Sequence, residues 1–170
     1  SGKNVNAAIE KYLGHVDFTE KGELSSIGIS LSEFTIKDAR PLEPTFGYGV
    51  ESGAALSGEI IFKLKQPCPP SYVTLTFMDM EGRPVAQSFS LFSNFKVPAS
   101  DKQLRIRFEI TSLTLNPGRY IVQLGLVEAL QHGGRGTTFY RNLDVTTVTV
   151  SGLAVGWAPV QLPGKWEMFG

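Results

Sequence analysis

The chain has 170 residues, 42% hydrophobic and 19% charged, with 16 Lys and Arg against 16 Asp and Glu. That composition suits a single folded domain with a core of its own and excludes a disordered tail. The even charge balance argues against nucleic acid, which calls for a basic excess or stripe, and no apolar run approaches the roughly 18 residues of a membrane span.

No signal peptide is recognisable. The leading Ser1-Gly2 matches the remnant of a cleaved tag, which would make the chain a fragment of a longer protein. Residues 4–13 read as a helix: Val5, Ala8, Ile9, Tyr12 and Leu13 share one face, Asn4 caps the start and Gly14 ends it. Polar, irregular sequence follows from His15 to Ser26. Residues 1–25 are therefore expected to be a short helix and linker, and residues 26–170 the folded domain.

After Ile27 the period shortens to two. Residues 28–37 alternate loosely. In 58–65, Ile60, Phe62 and Leu64 point one way and Glu59, Lys63 and Lys65 the other. Residues 72–79 set Val73, Leu75 and Phe77 against Tyr72, Thr74, Thr76 and Met78. Glu81-Gly82-Arg83-Pro84 then reads as a hairpin. Residues 103–110 bury Leu104, Ile106, Phe108 and Ile110, which leaves Arg105 and Arg107 (with nearby Lys102) on a solvated face. Asn116-Pro117-Gly118 suits a type II turn. Residues 119–127 alternate again, with Tyr120, Val122, Leu124 and Leu126 inward and Ile121, Gln123 and Gly125 outward. Residues 143–150 are rich in β-branched side chains. The stretch 153–170, with Trp157, Leu162 and Trp166, is too apolar to fray and is expected to pack on this domain or on a neighbour. One apolar face per strand, with turn signals between short strands, predicts an all-β domain of antiparallel sheets packed face to face.

The residue sets of enzymes are missing from the sequence. It has no P-loop and no Gly-x-Ser-x-Gly elbow. His15 and His132 lack metal-ligand spacing. The lone Cys68 lies among prolines and pairs with nothing, which fits a reducing compartment. Asp79 and Glu81 read as turn residues rather than a catalytic pair. No cofactor or metal is expected.

A binding surface remains. With a hairpin loop at 80–83, Asp79 faces Pro84, Met78 faces Val85, Thr76 faces Gln87, Thr74 faces Phe89 and Tyr72 faces Leu91, all on one face. Ile121 and Gln123 join them if their strand is the neighbour. Hydroxyls, amides and aromatic rings together suit a sugar; the same face also suits packing against the C-terminal stretch or a second subunit. Beyond the Gly-rich loop 131–136, Tyr140 and Arg141 are further candidates, and Arg135 with Arg141 suits an acidic sugar or a phosphate. The candidate set is Tyr72, Thr74, Thr76, Gln87, Phe89, Gln123, Tyr140 and Arg141.

Three motifs occur in order: Asp79-Met80-Glu81-Gly82-Arg83-Pro84-Val85, then Leu115-Asn116-Pro117-Gly118-Arg119-Tyr120, then Val160-Gln161-Leu162-Pro163-Gly164-Lys165-Trp166. Over roughly residues 24–168 this order resembles the C-terminal domain of Wzt, the ATPase subunit of ABC exporters of O-antigen polysaccharide. The resemblance implies an immunoglobulin-like, non-catalytic carbohydrate-binding module in the cytoplasm. It would follow an ATP-binding domain and work with the transporter's membrane subunit. Its ligand would be the modified non-reducing end of the glycan. The resemblance also implies a homodimer with exchanged C-terminal strands, in which Trp157, Leu162 and Trp166 would take part. The matching motifs are turn and packing residues, so the glycan contacts rest on the strand-face reading alone.

Overall fold

The computed structural model describes residues 17–18, 22–42, 47–132, 134–153, 156, 158–160 and 168. The helix expected at 4–13 lies outside the described residues, as do Trp157, Leu162 and Trp166. Eleven strands are described: β1 (Asp17–Phe18), β2 (Glu23–Ser25), β3 (Ile29–Ile36), β4 (Arg40–Leu42), β5 (Gly47–Glu51), β6 (Leu56–Leu64), β7 (Ser71–Met78), β8 (Pro84–Phe89), β9 (Gln103–Ile110), β10 (Gly118–Ala129) and β11 (Arg135–Ser151). A short 3-10 turn, Ser90–Ser93, follows β8.

They form two sheets. The larger runs β1-β2-β11-β10-β7-β8, with β5 joining β11 and β4 joining β5; the smaller is β3-β6-β9. All pairings are antiparallel except β5 with β11, which is parallel. β1 and β2 lie within the segment read from sequence as a linker, and β2 pairs with β11 through Leu24 and Arg141.

The alternating residues explain why the sheets close on each other. Leu75 and Phe77 of β7 and Val122, Leu124 and Leu126 of β10 face Ile60 and Phe62 of β6 and Leu104 and Ile106 of β9 in one core. Burying each such side chain contributes about 1.5–3 kcal/mol. The architecture is an all-β sandwich, as the alternation required.

One corner departs from the sequence reading. Gly118 has no positive φ, so the type II turn is not formed. Instead Tyr120 folds back and donates its hydroxyl to the Asn116 carbonyl at 2.8 Å, the tyrosine corner of immunoglobulin-like sandwiches. A side chain at Gly118 would press on that hydroxyl, 3.3 Å from where its Cβ would sit. The same corner holds the C-terminal segment. Asn116 donates its backbone N–H to Pro159 O at 2.9 Å, and its side-chain amide reaches the carbonyls of Gly156 and Ala158. Val160 bridges to Leu115.

Candidate functional site

The hairpin sets the site. Asp79 organises its turn by accepting from the N–H groups of Glu81 and Arg83, both at 2.9 Å, and from Arg83 Nε at 2.7 Å. Those bonds, Arg83 foremost, hold its carboxyl below the usual range. Thr76 faces Gln87 and Thr74 faces Phe89, as the loop length predicted. A bulge between Phe77 and Met78 sets Met78 against Pro84 instead of Val85, and Asp79 donates its backbone N–H to the Arg83 carbonyl rather than facing Pro84. Leu91 falls in the 3-10 turn beyond the ladder.

β10 lies beside β7, with Gln123 opposite Thr76, Gly125 opposite Thr74 and Val127 opposite Tyr72. β11 follows, with Arg141 opposite Gly125. A row therefore crosses four strands on the outer face: Phe89, Thr74, Gly125, Arg141. At strand spacings near 4.8 Å it spans about 14 Å.

The centre of this face is a shallow depression of about 130 Å³. Thr74, Thr76, Gln87, Gln123 and Gly125 line it, with Arg135, Thr138 and Arg141 on its β11 side. Gly125 forms the floor, and a Cβ there would overlap the Thr74 hydroxyl. Gln87 Nε2 donates to Thr76 Oγ1 at 2.7 Å and Arg141 Nη2 to Gln123 Oε1 at 3.4 Å. β11 bulges beside Gln123: the ladder passes from Asn142 opposite Leu124 to Thr146 opposite Val122. Asn142 Oδ1 caps that bulge by accepting from Asp144 N–H at 3.0 Å.

Three aromatic candidates behave differently from expectation. Tyr140 is not on this face. It is fully buried in the core with its ring edge-on to Phe62, centroids 5.1 Å apart. Tyr140 stands opposite the core residue Leu126, and the next residue, Arg141, turns out opposite Gly125. Burial, with Glu23 as a hydrogen-bond partner, pushes its hydroxyl well above the ordinary tyrosine range. Tyr72 and Phe89 do share the outer face, but they are buried in a small cluster of their own with Val127, Leu91 and Ala129. The ring left open is Phe92, 83% exposed and edge-on to Phe89 at 5.6 Å. Phe92, Gly125 and Thr138 were absent from the sequence-based set. An aromatic residue in a polar turn directly after a strand was the available signal for Phe92.

A larger hollow, about 530 Å³, lies on the small sheet beside Glu59, Phe95, Arg105 and Arg107. Among the described residues that line it the one carboxylate, Glu59, is already bridged by Lys37 and Arg107, both at 2.8 Å. Those partners, Lys37 first, lower the Glu59 pKa to about 2. Among the described residues no three His, Cys, Asp or Glu side chains converge on a metal position, and no helix is long and apolar enough to cross a membrane.

The two sheets and the tyrosine corner define an immunoglobulin-like β-sandwich, with a shallow depression on one outer face. No protein-family model matches the sequence, and no curated protein matches it. Solved structures do. The chain has the fold of the C-terminal domain of Wzt, with a TM-score of 0.67 and 11% identity over 88% of this chain and 89% of that one. Fainter likenesses are to a Niemann-Pick type C2 protein from Japanese carpenter ant (TM-score 0.46, 8% identity, 71% of this chain and 91% of that one) and the cupredoxin domain of amoB from Nitrosocaldus yellowstonii (0.40, 13%, 85% and 97%). The resemblance drawn from the three sequence motifs thus has its counterpart in the fold.

Proposed function

We propose that this chain is a non-catalytic carbohydrate-binding module that holds the modified non-reducing end of an O-antigen polysaccharide and couples that binding to export by an ABC transporter. The observation that supports this most is the depression around Gly125. Hydroxyls, side-chain amides and arginines line it, and the open Phe92 ring lies at the aromatic side of the same face. Sugars need that pairing: polar groups for their hydroxyls and an aromatic ring for their C–H faces. The Wzt-like fold and motif order supply the export context. In this reading the residues ahead of β1 lead from an ATP-binding domain, and the module works in the cytoplasm against the transporter's membrane subunit.

The test is an NMR titration of the labelled chain with O-antigen fragments, capped and uncapped at the non-reducing end. The expected result is saturable shifts of the Gln87 and Gln123 side-chain amides and the Gly125 N–H, stronger with the cap. An unchanged spectrum with both fragments would sink the proposal.

A second reading, a dimerisation module, has one observation in its favour: β9 is an edge strand of the small sheet, and exposed edges invite strand addition. Sedimentation of the chain with and without residues 153–170 tests it. A dimer lost on truncation, with glycan binding absent throughout, would favour this reading over the first.

A further inference from the structure

β9 is a free edge of the small sheet, and hydrogen-bond parity fixes what it offers. Leu64 donates its backbone N–H to the Lys102 carbonyl at 3.3 Å, and the register with β6 runs unbroken from Lys63 opposite Gln103 to Leu56 opposite Ile110. Antiparallel bonds alternate, so Leu104, Ile106 and Phe108 exchange theirs with β6. Arg105, Arg107 and Glu109 point their N–H and C=O groups away from it, and no described strand pairs with them.

The side chains of this edge alternate too. Arg105 and Arg107 stand on the outer face, beside the hollow of about 530 Å³. Arg107 shares Glu59 with Lys37, two cations on one carboxylate. Arg105 faces Ile61, and among the described residues no ion pair joins it to a carboxylate. Glu109 closes the cationic stretch. Ile106 and Phe108 turn the other way, where a second hollow of about 150 Å³ opens between β9 and β8. It opens because β8 sets only the small Ala86 and Ser88 opposite Phe77 and Leu75 of β7. Val73, Leu75, Ile106 and Phe108 line it, and a cavity of about this size holds a benzene ring. Phe95, 46% exposed, borders both hollows.

An extended segment laid along β9 would send alternate side chains to the two faces. Those opposite Arg105 and Arg107 would meet positive charge, and the one between them, opposite Ile106, would meet the apolar hollow. We propose that the β9 edge docks an extended acidic segment of a partner protein, which adds a fourth strand to the three of the small sheet. Acidic residues lie opposite Arg105 and Arg107, with an apolar residue between them. Backbone bonds to the edge supply affinity, and the alternating side chains supply specificity. The chain's own tail has the wrong charge for this: residues 153–170 hold a single acidic residue, Glu167, against Lys165.

The probe is a peptide of eight residues, the length of β9, alternating aspartate and valine. Its comparators are an alternating lysine-valine peptide and a block peptide with the aspartates and valines segregated into halves. NMR of the labelled chain follows backbone hydrogen exchange at Arg105 and Arg107, with the Gly125 N–H reporting on the other sheet. The expected result is fast exchange of both edge groups in the free chain and saturable protection by the alternating acidic peptide alone, with Gly125 unmoved. Arg105→Gln weakens that binding about threefold, the size of an exposed ion pair. Arg105→Glu abolishes it and turns the preference to the lysine-valine peptide, while Arg119→Gln, on the large sheet, changes nothing. Equal or tighter binding of the lysine-valine or block peptide overturns the proposal. So does binding that leaves the edge groups in fast exchange, wild-type affinity in Arg105→Glu, or silence with all three peptides. Protection already present in the free chain overturns it as well: with a dimer in sedimentation the edge belongs to a second copy, and with a monomer to the chain's own residues. The glycan reading stands or falls separately, because its depression lies on the other sheet.

Discussion

Thr74 on β7 and Gly125 on β10 stand directly opposite each other, and the threonine hydroxyl fills the space that any side chain at 125 would need. The floor of the depression is backbone because its neighbour has already claimed that volume. Gly125→Val must displace Thr74, a β-branched residue with few rotamers to move into. The expected cost is about 1–3 kcal/mol, typical of overpacking, with loss of glycan binding. Urea denaturation measures the first and the NMR titration the second.

In the proposed glycan-binding role, Phe92 serves binding and not the fold. At 83% exposure it buries little of its own ring. Phe92→Ala is expected to leave the urea midpoint unchanged and to lower glycan affinity roughly threefold to tenfold, in line with about 0.5–1.5 kcal/mol for an aromatic contact. Calorimetry against the same fragment checks it.

Tyr140 does the opposite. Its ring fills the core against Phe62, so Tyr140→Ala is expected to destabilise the domain by roughly 3–5 kcal/mol, as truncation of a large core aromatic does. Thermal and urea unfolding report this directly. Tyr140→Phe keeps the ring and is expected to bind glycan as wild type does.

Asn116 ties the C-terminal segment to the domain through three carbonyls, those of Gly156, Ala158 and Pro159. Asn116→Ala removes the two side-chain bonds while leaving the backbone bond and the Tyr120 corner. Expected is a loss of about 1–3 kcal/mol, together with faster proteolytic clipping after residue 153. Mass spectrometry of a time course locates the cut.

Glu59 gives the domain an acid-sensitive contact on its small sheet. Its folded pKa, about 2, lies below the ordinary 4.5. A group whose folded pKa is depressed adds stability above its unfolded pKa, and that stability is lost as pH falls through the folded value. The contribution is thus expected to be full above about pH 4.5 and to fade down to about pH 2. Carbon-detected NMR of the carboxyl should show the low midpoint, and Glu59→Gln should lessen the acid loss of stability across that window.

The sequence was most legible where alternation was clean. β6, β7, β9 and β10 each put one apolar row inward, and the hairpin length placed Thr74 opposite Phe89 and Thr76 opposite Gln87. Legibility failed where the backbone breaks period. β4 and β5 are short and carry Pro41, Gly47 and Gly49, so no alternation marks them. On β11 the bulge at 143–145 breaks the pattern within Tyr-Arg-Asn-Leu-Asp-Val. The strand therefore reads as beginning at 143, and Tyr140 reads as a loop residue free to face a ligand. Tyr72 and Phe89 were placed on the correct face, but their mutual packing beneath Leu91 depends on the chain turning back after β8, which pairwise register does not reveal.

The bulge beside Gln123 has a consequence for how such a domain can diverge. Register is pinned on both sides of it, by Arg141 with Gly125 and by Thr147 with Ile121, and slippage of either pair would turn core residues outward. Residues gained or lost between 142 and 146 would be absorbed locally, leaving both ladders in place. The strand carrying Arg141 would swing by a small angle, and the cationic side of the depression would move relative to the Thr74 side. Length variation at one mid-sheet position is thus a route by which related chains can retune the width of the cleft while every residue in the core stays where it is.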